Sequence, residues 1–318
     1  MVMMRCLRLT RREFLEKSAR TLLALAGGRL ISRPGSGAYA GEVVPVSLVT
    51  GEDIGTSVRK AVALLGGMEN FVSRGDVVLV KPNIGWDRKP EQAANTHPEV
   101  VVALVELALE SGAKRVKVFD RTCNEPRRCY INSGILPAVE KFKKERGLGR
   151  EVEIYHTERR KFVTVRIKDA EVLKKWPLYR DALEVDKIID VPVAKHHTLA
   201  GYTLGLKNMM GIMGGNRGQV HWELSKALAD LNAYLTPSLT VVDGTRILLR
   251  NGPSGGNLAD VAVKNTVVAS PNPVSADAVA VRTLFGADPA SVPHIAYAAE
   301  RGLGPLGGEA VRVVREKG

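Results

Sequence analysis

From residue 41 onward, short β-branched apolar runs alternate with segments whose apolar residues recur at helical spacing. Residues 44–49 predict a strand and residues 56–65 an amphipathic helix. Residues 76–80, Asp-Val-Val-Leu-Val, predict a buried strand. In Pro98–Glu110, Val101, Leu104, Val105 and Ala108 fall on one helical stripe, and Gly112 ends the helix. Residues 115–119 predict the next strand. Strand, helix, glycine and strand at this rhythm mark βαβ units of a parallel sheet.

The middle of the chain is less regular. Residues 140–145 read as a charged helix end. Residues 152–155 and 162–167 alternate polar and apolar positions, which predicts strands of an antiparallel flap. The parallel pattern resumes with strands at 187–193, 239–242 and 266–269 and helices at 222–234 and 275–285. The expected fold is α/β: a mostly parallel sheet flanked by helices, with a partly antiparallel insertion at about 123–180. Residues 41–318 are expected to form one domain.

The first 40 residues differ in kind. They hold eight Lys/Arg and two Asp/Glu, a net of +6, half of the +12 of the whole chain. Thr10-Arg11-Arg12-Glu13-Phe14-Leu15, with Lys17, resembles a twin-arginine export signal. A modest apolar stretch follows, and Ala38-Tyr39-Ala40 offers a signal-peptidase site with Gly41 as the mature start. The expectation is export to the periplasm or another extracytoplasmic space, with the twin-arginine machinery as a partner. No later apolar run is long enough to span a bilayer.

The remaining +6 suits anionic small ligands. No basic recognition helix stands out and only 5% of residues are aromatic, so nucleic acid is not an expected partner. Besides Cys6, only Cys123 and Cys129 are present, too few for a four-cysteine iron–sulfur or zinc site. They form either a local disulfide or two free thiols.

Four polar clusters follow apolar strands, where ligands bind in open parallel sheets. Lys81-Pro82-Asn83 comes first, its loop running on to Thr96, a candidate helix cap. Asp120 follows the third strand, as a base, a metal ligand or a turn cap. The densest cluster is Lys195-His196-His197, then Thr203, Lys207-Asn208 and a glycine-rich run to Asn216. Neighbouring histidines on a strand face opposite ways, so one at most enters a cleft. Asp243-Gly244 closes the fourth strand. Asp277 sits near a helix start, where its charge suits the dipole without any function.

In this order, Lys81-Pro82-Asn83, Thr96-His97-Pro98-Glu99, Lys195-His196-His197, Thr203 through Gly211, Asp230-Leu231-Asn232, Val242-Asp243-Gly244 and Ser270 through Asp277 resemble domain of unknown function family 362. The resemblance spans roughly residues 44–300. Many members of that family carry a ferredoxin module with a Cys-x-x-Cys-x-x-Cys run, which this chain lacks. The resemblance therefore implies the fold and the cleft, not an iron–sulfur cluster.

The leading reading is an exported enzyme or cofactor-binding protein acting on an anionic small molecule. Lys195, His196, Asp120 and Asp243 are the candidate catalytic residues. Lys81, Asn83, Thr96, Thr203, Lys207 and Asn208 are the candidate ligand-binding residues. The motifs name no cofactor. The alternatives are a non-catalytic solute-binding or metal-binding protein, with His196, His197 and His221 as metal candidates, and an accessory partner of an exported redox complex.

Overall fold

The computed structural model describes residues 43–318; the expected signal and the mature start at Gly41 lie outside the described residues. The chain begins with strand β1 (Val44–Thr50), helix α1 (Ile54–Ala63), strand β2 (Val77–Pro82), helix α2 (Pro98–Glu110) and strand β3 (Arg115–Val118). Helices α3 (Pro126–Asn132) and α4 (Ile135–Glu145) lead to β4 (Val152–Ile154), and β5 (Phe162–Arg166) and β6 (Lys175–Tyr179) form a separate hairpin. After α5 (Arg180–Glu184) come β7 (Lys187–Val191), β8 (Val193–His197), β9 (Gly201–Thr203) and the short helix α6 (Gly205–Asn208). The remainder is α7 (Leu224–Tyr234), β10 (Leu239–Leu248), β11 (Val261–Ser270), α8 (Pro273–Ala280), α9 (Pro293–Glu300) and β12 (Val311–Lys317).

Ten of these strands share one sheet, ordered β12-β1-β11-β10-β7-β2-β3-β4, with β8 attached to β10 and β9 to β8. The pairs β1·β12, β2·β3, β2·β7, β3·β4 and β7·β10 are parallel; β11 runs antiparallel between β1 and β10. The architecture is thus the α/β fold expected, a mostly parallel sheet between helices with an antiparallel segment.

Both faces of the sheet are covered, which explains why its central strands read as continuous apolar runs. On β2, Val78 and Val80 join the core beneath α1, α2 and α4, through Val58, Leu104 and Val139. Leu79, between them, faces the opposite layer with Leu228 and Leu231 of α7. The period of two sends alternate side chains to opposite cores.

Three expectations need correction. Residues 152–154 do not belong to the flap: β4 extends the main sheet parallel to β3, pairing Val152 with Val116. The flap itself is the antiparallel hairpin of β5 and β6. Strand β10 does not end at Val242 but runs through Asp243 to Leu248, with a register irregularity between Gly244 and Arg246. A bulge lets a strand continue past residues that read as a turn. Thr96 is not the cap of α2: that position is His97, whose ring accepts from the Glu99 amide, with Pro98 in the first helical turn.

Candidate functional site

The carboxyl ends of β2, β3 and β8, with β9, α6 and the 210–221 loop, surround a cavity of about 640 Å³. That volume suits a small organic ligand. Asn83, Asp120, Lys195, Thr203, Lys207 and Asn208 line it, so segments spread over 126 positions of the chain converge.

Lys81 stands behind this wall. It is fully buried, and its Nζ donates to Asp120 Oδ1 at 2.9 Å and to the Pro82 carbonyl at 2.8 Å. The other Asp120 oxygen accepts from the Ile84 amide at 2.7 Å. A Cβ on Gly211 would lie 1.7 Å from Asp120 Oδ1 and 2.6 Å from Lys81 Nζ, so only glycine lets the chain close over this pair. The Lys81 charge is thereby neutralised and sealed.

Lys195 and Lys207 are placed differently. A chain of amides leads away from Lys195: its Nζ donates to Asn83 Oδ1 at 3.0 Å, Asn83 Nδ2 to Asn208 Oδ1 at 2.9 Å, and Asn208 Nδ2 to Asp190 Oδ1 at 2.8 Å. The direction of the two amides follows from this network. Burial pushes the Asp190 carboxyl well above the usual carboxylate range, against the pull of the Lys81 ammonium. Lys207 is 8% exposed, and among the described residues its Nζ has only the Met210 sulfur as hydrogen-bond partner, at 3.7 Å. Burial lowers Lys195 to about 7 and Lys207 to about 8. Among the described residues, neither lysine has a carboxylate within ion-pair distance. Thr203 Oγ1, in the same cavity, is buried with no hydrogen-bond partner among the described residues.

The structure separates other expected residues from this cavity. Asp243 is buried in β10, where it accepts from the His97 amide at 2.7 Å and from the Thr245 hydroxyl at 2.7 Å. Its work is to anchor the start of α2. The Thr96 hydroxyl donates to the Val191 carbonyl and accepts from the Asn83 amide, so it fixes the loop that carries Asn83. Strand alternation turns His196 away from Lys195, and its Nδ1 accepts from the Gly252 amide at 3.2 Å. His197 faces the cavity, stacked on His221 with ring centroids 5.8 Å apart. Burial lowers the His197 imidazole to about 3, so it is neutral at physiological pH. Among the described residues no three His, Cys, Asp or Glu side chains are grouped to hold a metal ion. Cys123 is exposed on the cavity rim and Cys129 is buried, both as free thiols. Burial pushes Cys129 up to about 11. No helix of the described residues is long and apolar enough to cross a membrane.

Sequence reasoning missed four contributors. Asp190 lies inside an apolar strand with no turn signal beside it. Asp277 does not serve its own helix: it accepts from the amides of Gly205 and Leu206 at 2.7 and 2.9 Å and so caps α6, the carrier of Lys207 and Asn208. Burial raises Asp277 to about 7. Arg121 and Arg217 tie the rim together reciprocally: Arg121 donates to the carbonyls of Met213 and Gly215, and Arg217 to those of Arg121 and Thr122. The periodicity of β8 alone would have put His197, not His196, beside Lys195.

The fold and cavity define an α/β protein with a buried, lysine-lined site at the carboxyl edge of a mostly parallel sheet. The chain belongs to the family described as domain of unknown function (DUF362), whose model matches residues 78–282. It is similar to the thylakoid-associated protein sll1697 of Synechocystis sp. (strain ATCC 27184 / PCC 6803 / Kazusa), with 29% identity over 261 residues, 80% of this chain and 76% of that protein. Among solved structures it is similar to the lactate racemase apoprotein of Thermoanaerobacterium thermosaccharolyticum, with a TM-score of 0.43 and 9% identity over 74% of this chain. This chain spans 55% of that one.

Proposed function

We propose that the cavity binds a small anionic molecule and that the protein is an enzyme acting on it, with Lys207 as the anion-binding cation and Lys195 as the proton-transfer group. One observation carries this reading: two buried lysines share a cavity with a hydroxyl, and among the described residues the hydroxyl has no hydrogen-bond partner and neither lysine has a carboxylate. An uncompensated buried ammonium costs several kcal/mol, which a bound anion would offset. Asp120 does not supply that charge, because it is committed to Lys81. A lysine near neutrality is also suited to exchanging a proton with its ligand. Asn83, Asn208 and Thr203 orient the ligand. The test is titration calorimetry of oxalate and of inorganic phosphate against the wild type and Lys207→Met. Binding that weakens at least tenfold in the variant and fades as the pH rises past about 8 supports the reading. Unchanged binding in the variant sinks it.

The same proposal places the protein outside the cytoplasm, on the Arg11-Arg12 pair and the Ala38-Tyr39-Ala40 site. Changing both arginines to lysine should hold the precursor in the cytoplasm, read by fractionation and immunoblotting. Unimpaired export would refute it.

A further inference from the structure

Lys195 Nζ has two acceptors, Asn83 Oδ1 and the Ala94 carbonyl. A neutral amine has two N–H bonds and one lone pair. With both hydrogens committed to these acceptors, the lone pair takes the remaining direction, and Lys195 lines the cavity. Thr203 is its direct cross-strand partner in the β8·β9 pair, and the unpartnered Thr203 Oγ1 lies in the same cavity. Lys207 supplies a second nitrogen there, held among the described residues only by a sulfur.

We propose that Lys195 is an imine-forming nucleophile and that the anion of this site is a small carboxylate carrying an aldehyde or ketone carbon. The inference rests on the anion-binding reading above and adds a covalent step to it. Lys207 holds the carboxylate, and Thr203 Oγ1 donates to the carbonyl oxygen. The Lys195 nitrogen attacks the carbonyl carbon, so an N–C bond forms as the C–O π bond opens and the oxygen gains a proton. The nitrogen then expels that oxygen as water and becomes doubly bonded to carbon. Both amine hydrogens leave with the oxygen, so the step balances without oxidant or reductant.

The electrostatics divide the two lysines in the way this step needs. At neutral pH Lys195, at about 7, is half free base, whereas Lys207, at about 8, remains mostly ammonium. An exposed lysine, ordinarily near 10.4, is almost wholly protonated there. A desolvated lysine is the usual form of an imine-forming amine.

The experiment is reductive trapping on the full chain. The protein is incubated at pH 7 with glyoxylate and sodium cyanoborohydride, digested, and its peptides mapped for carboxymethyl-lysine. Lys195 should be labelled on the order of 100-fold faster than exposed lysines such as Lys141, the free-base advantage discounted for lower basicity. Its rate should level off above about pH 7, while exposed lysines continue to gain with pH. Oxalate, an anion of similar size that forms no imine, separates the two readings by calorimetry. Oxalate binding with label spread over surface lysines, or with label on Lys207 alone, overturns the imine role and leaves the anion site standing. Label concentrated on Lys195 without oxalate binding keeps the nucleophile but overturns the anion reading, and with it the carboxylate assigned to Lys207.

Discussion

Two lysines follow apolar strand runs in this sheet, both almost wholly removed from solvent, and they end in opposite electrical states. Lys81 is closed in a short ion pair with Asp120, capped by a glycine that admits no side chain. Among the described residues, Lys195 has two neutral acceptors and no anion. The first arrangement completes itself within the chain; the second is left for something outside it to complete. The difference lies in neighbours, not in burial, since exposure is 0% for one and 1% for the other. A buried lysine alone therefore says little about function, and what identifies the site is the missing counter-charge.

The comparison breaks most visibly if the sealed side is opened. Asp120→Ala leaves the Lys81 ammonium buried and unpaired, and should cost about 3–5 kcal/mol of stability in denaturant unfolding. A loss under about 1 kcal/mol would mean that Lys81 is not charged in the folded protein.

The open side should respond in the opposite direction. Lys207→Met removes an uncompensated ammonium and keeps an unbranched apolar chain in its place. Without ligand, the variant should be more stable by roughly 1–3 kcal/mol at pH 7, as when buried charges give way to apolar side chains. A less stable variant would show that Lys207 has a structural partner and belongs with Lys81 in kind.

pH sharpens the same contrast by a smaller amount. Lys195 titrates at about 7 when folded and near 10.4 when unfolded. Between those values the unfolded chain holds a proton that the folded chain has released, so stability rises with pH through this window. Wild type should gain about 1 kcal/mol on Lys195→Met between pH 7 and pH 8, read from urea midpoints of both proteins. Equal slopes would mean that Lys195 keeps an ordinary ammonium and has a counter-ion.

How much of this was legible in the sequence depends on the distance over which each feature is decided. Helix α2 has the bounds its stripe predicts, because the stripe, Pro98 and Gly112 are all local. The end of β10 was misread because Asp243-Gly244 reads as a turn, whereas pairing with β11 and a contact to His97 carry the strand onward. The cavity was foreseeable in outline from the strand-end rule, which gathered Asn83, Asp120, Lys195 and Lys207. The rule does not say which lysine finds a carboxylate, since that depends on 39 positions of chain folding Asp120 against Lys81. Nor does it reveal Asp190 or Asp277, whose partners lie 18 and 72 positions away.

The smallest expected effect concerns the histidine beside Lys195. His196 and His197 are adjacent, yet the pleat sends one to the Gly252 loop and the other to the cavity. If cavity membership follows strand alternation, His196 contributes one hydrogen bond to a loop and nothing to the ligand. His196→Ala should then cost about 0.5–1.5 kcal/mol of stability, the ordinary net worth of such a bond. Its oxalate affinity should stay within about twofold of wild type, because a change of 0.4 kcal/mol or less is all that a remote, uncoupled site transmits. His197→Ala is the matched control: it unstacks His221 and opens space beside Lys207, so the same titration should register a change. A tenfold loss of affinity in His196→Ala would place that imidazole against the ligand. The division between lysines with and without a partner would then need a third ligand-contacting group on the open side.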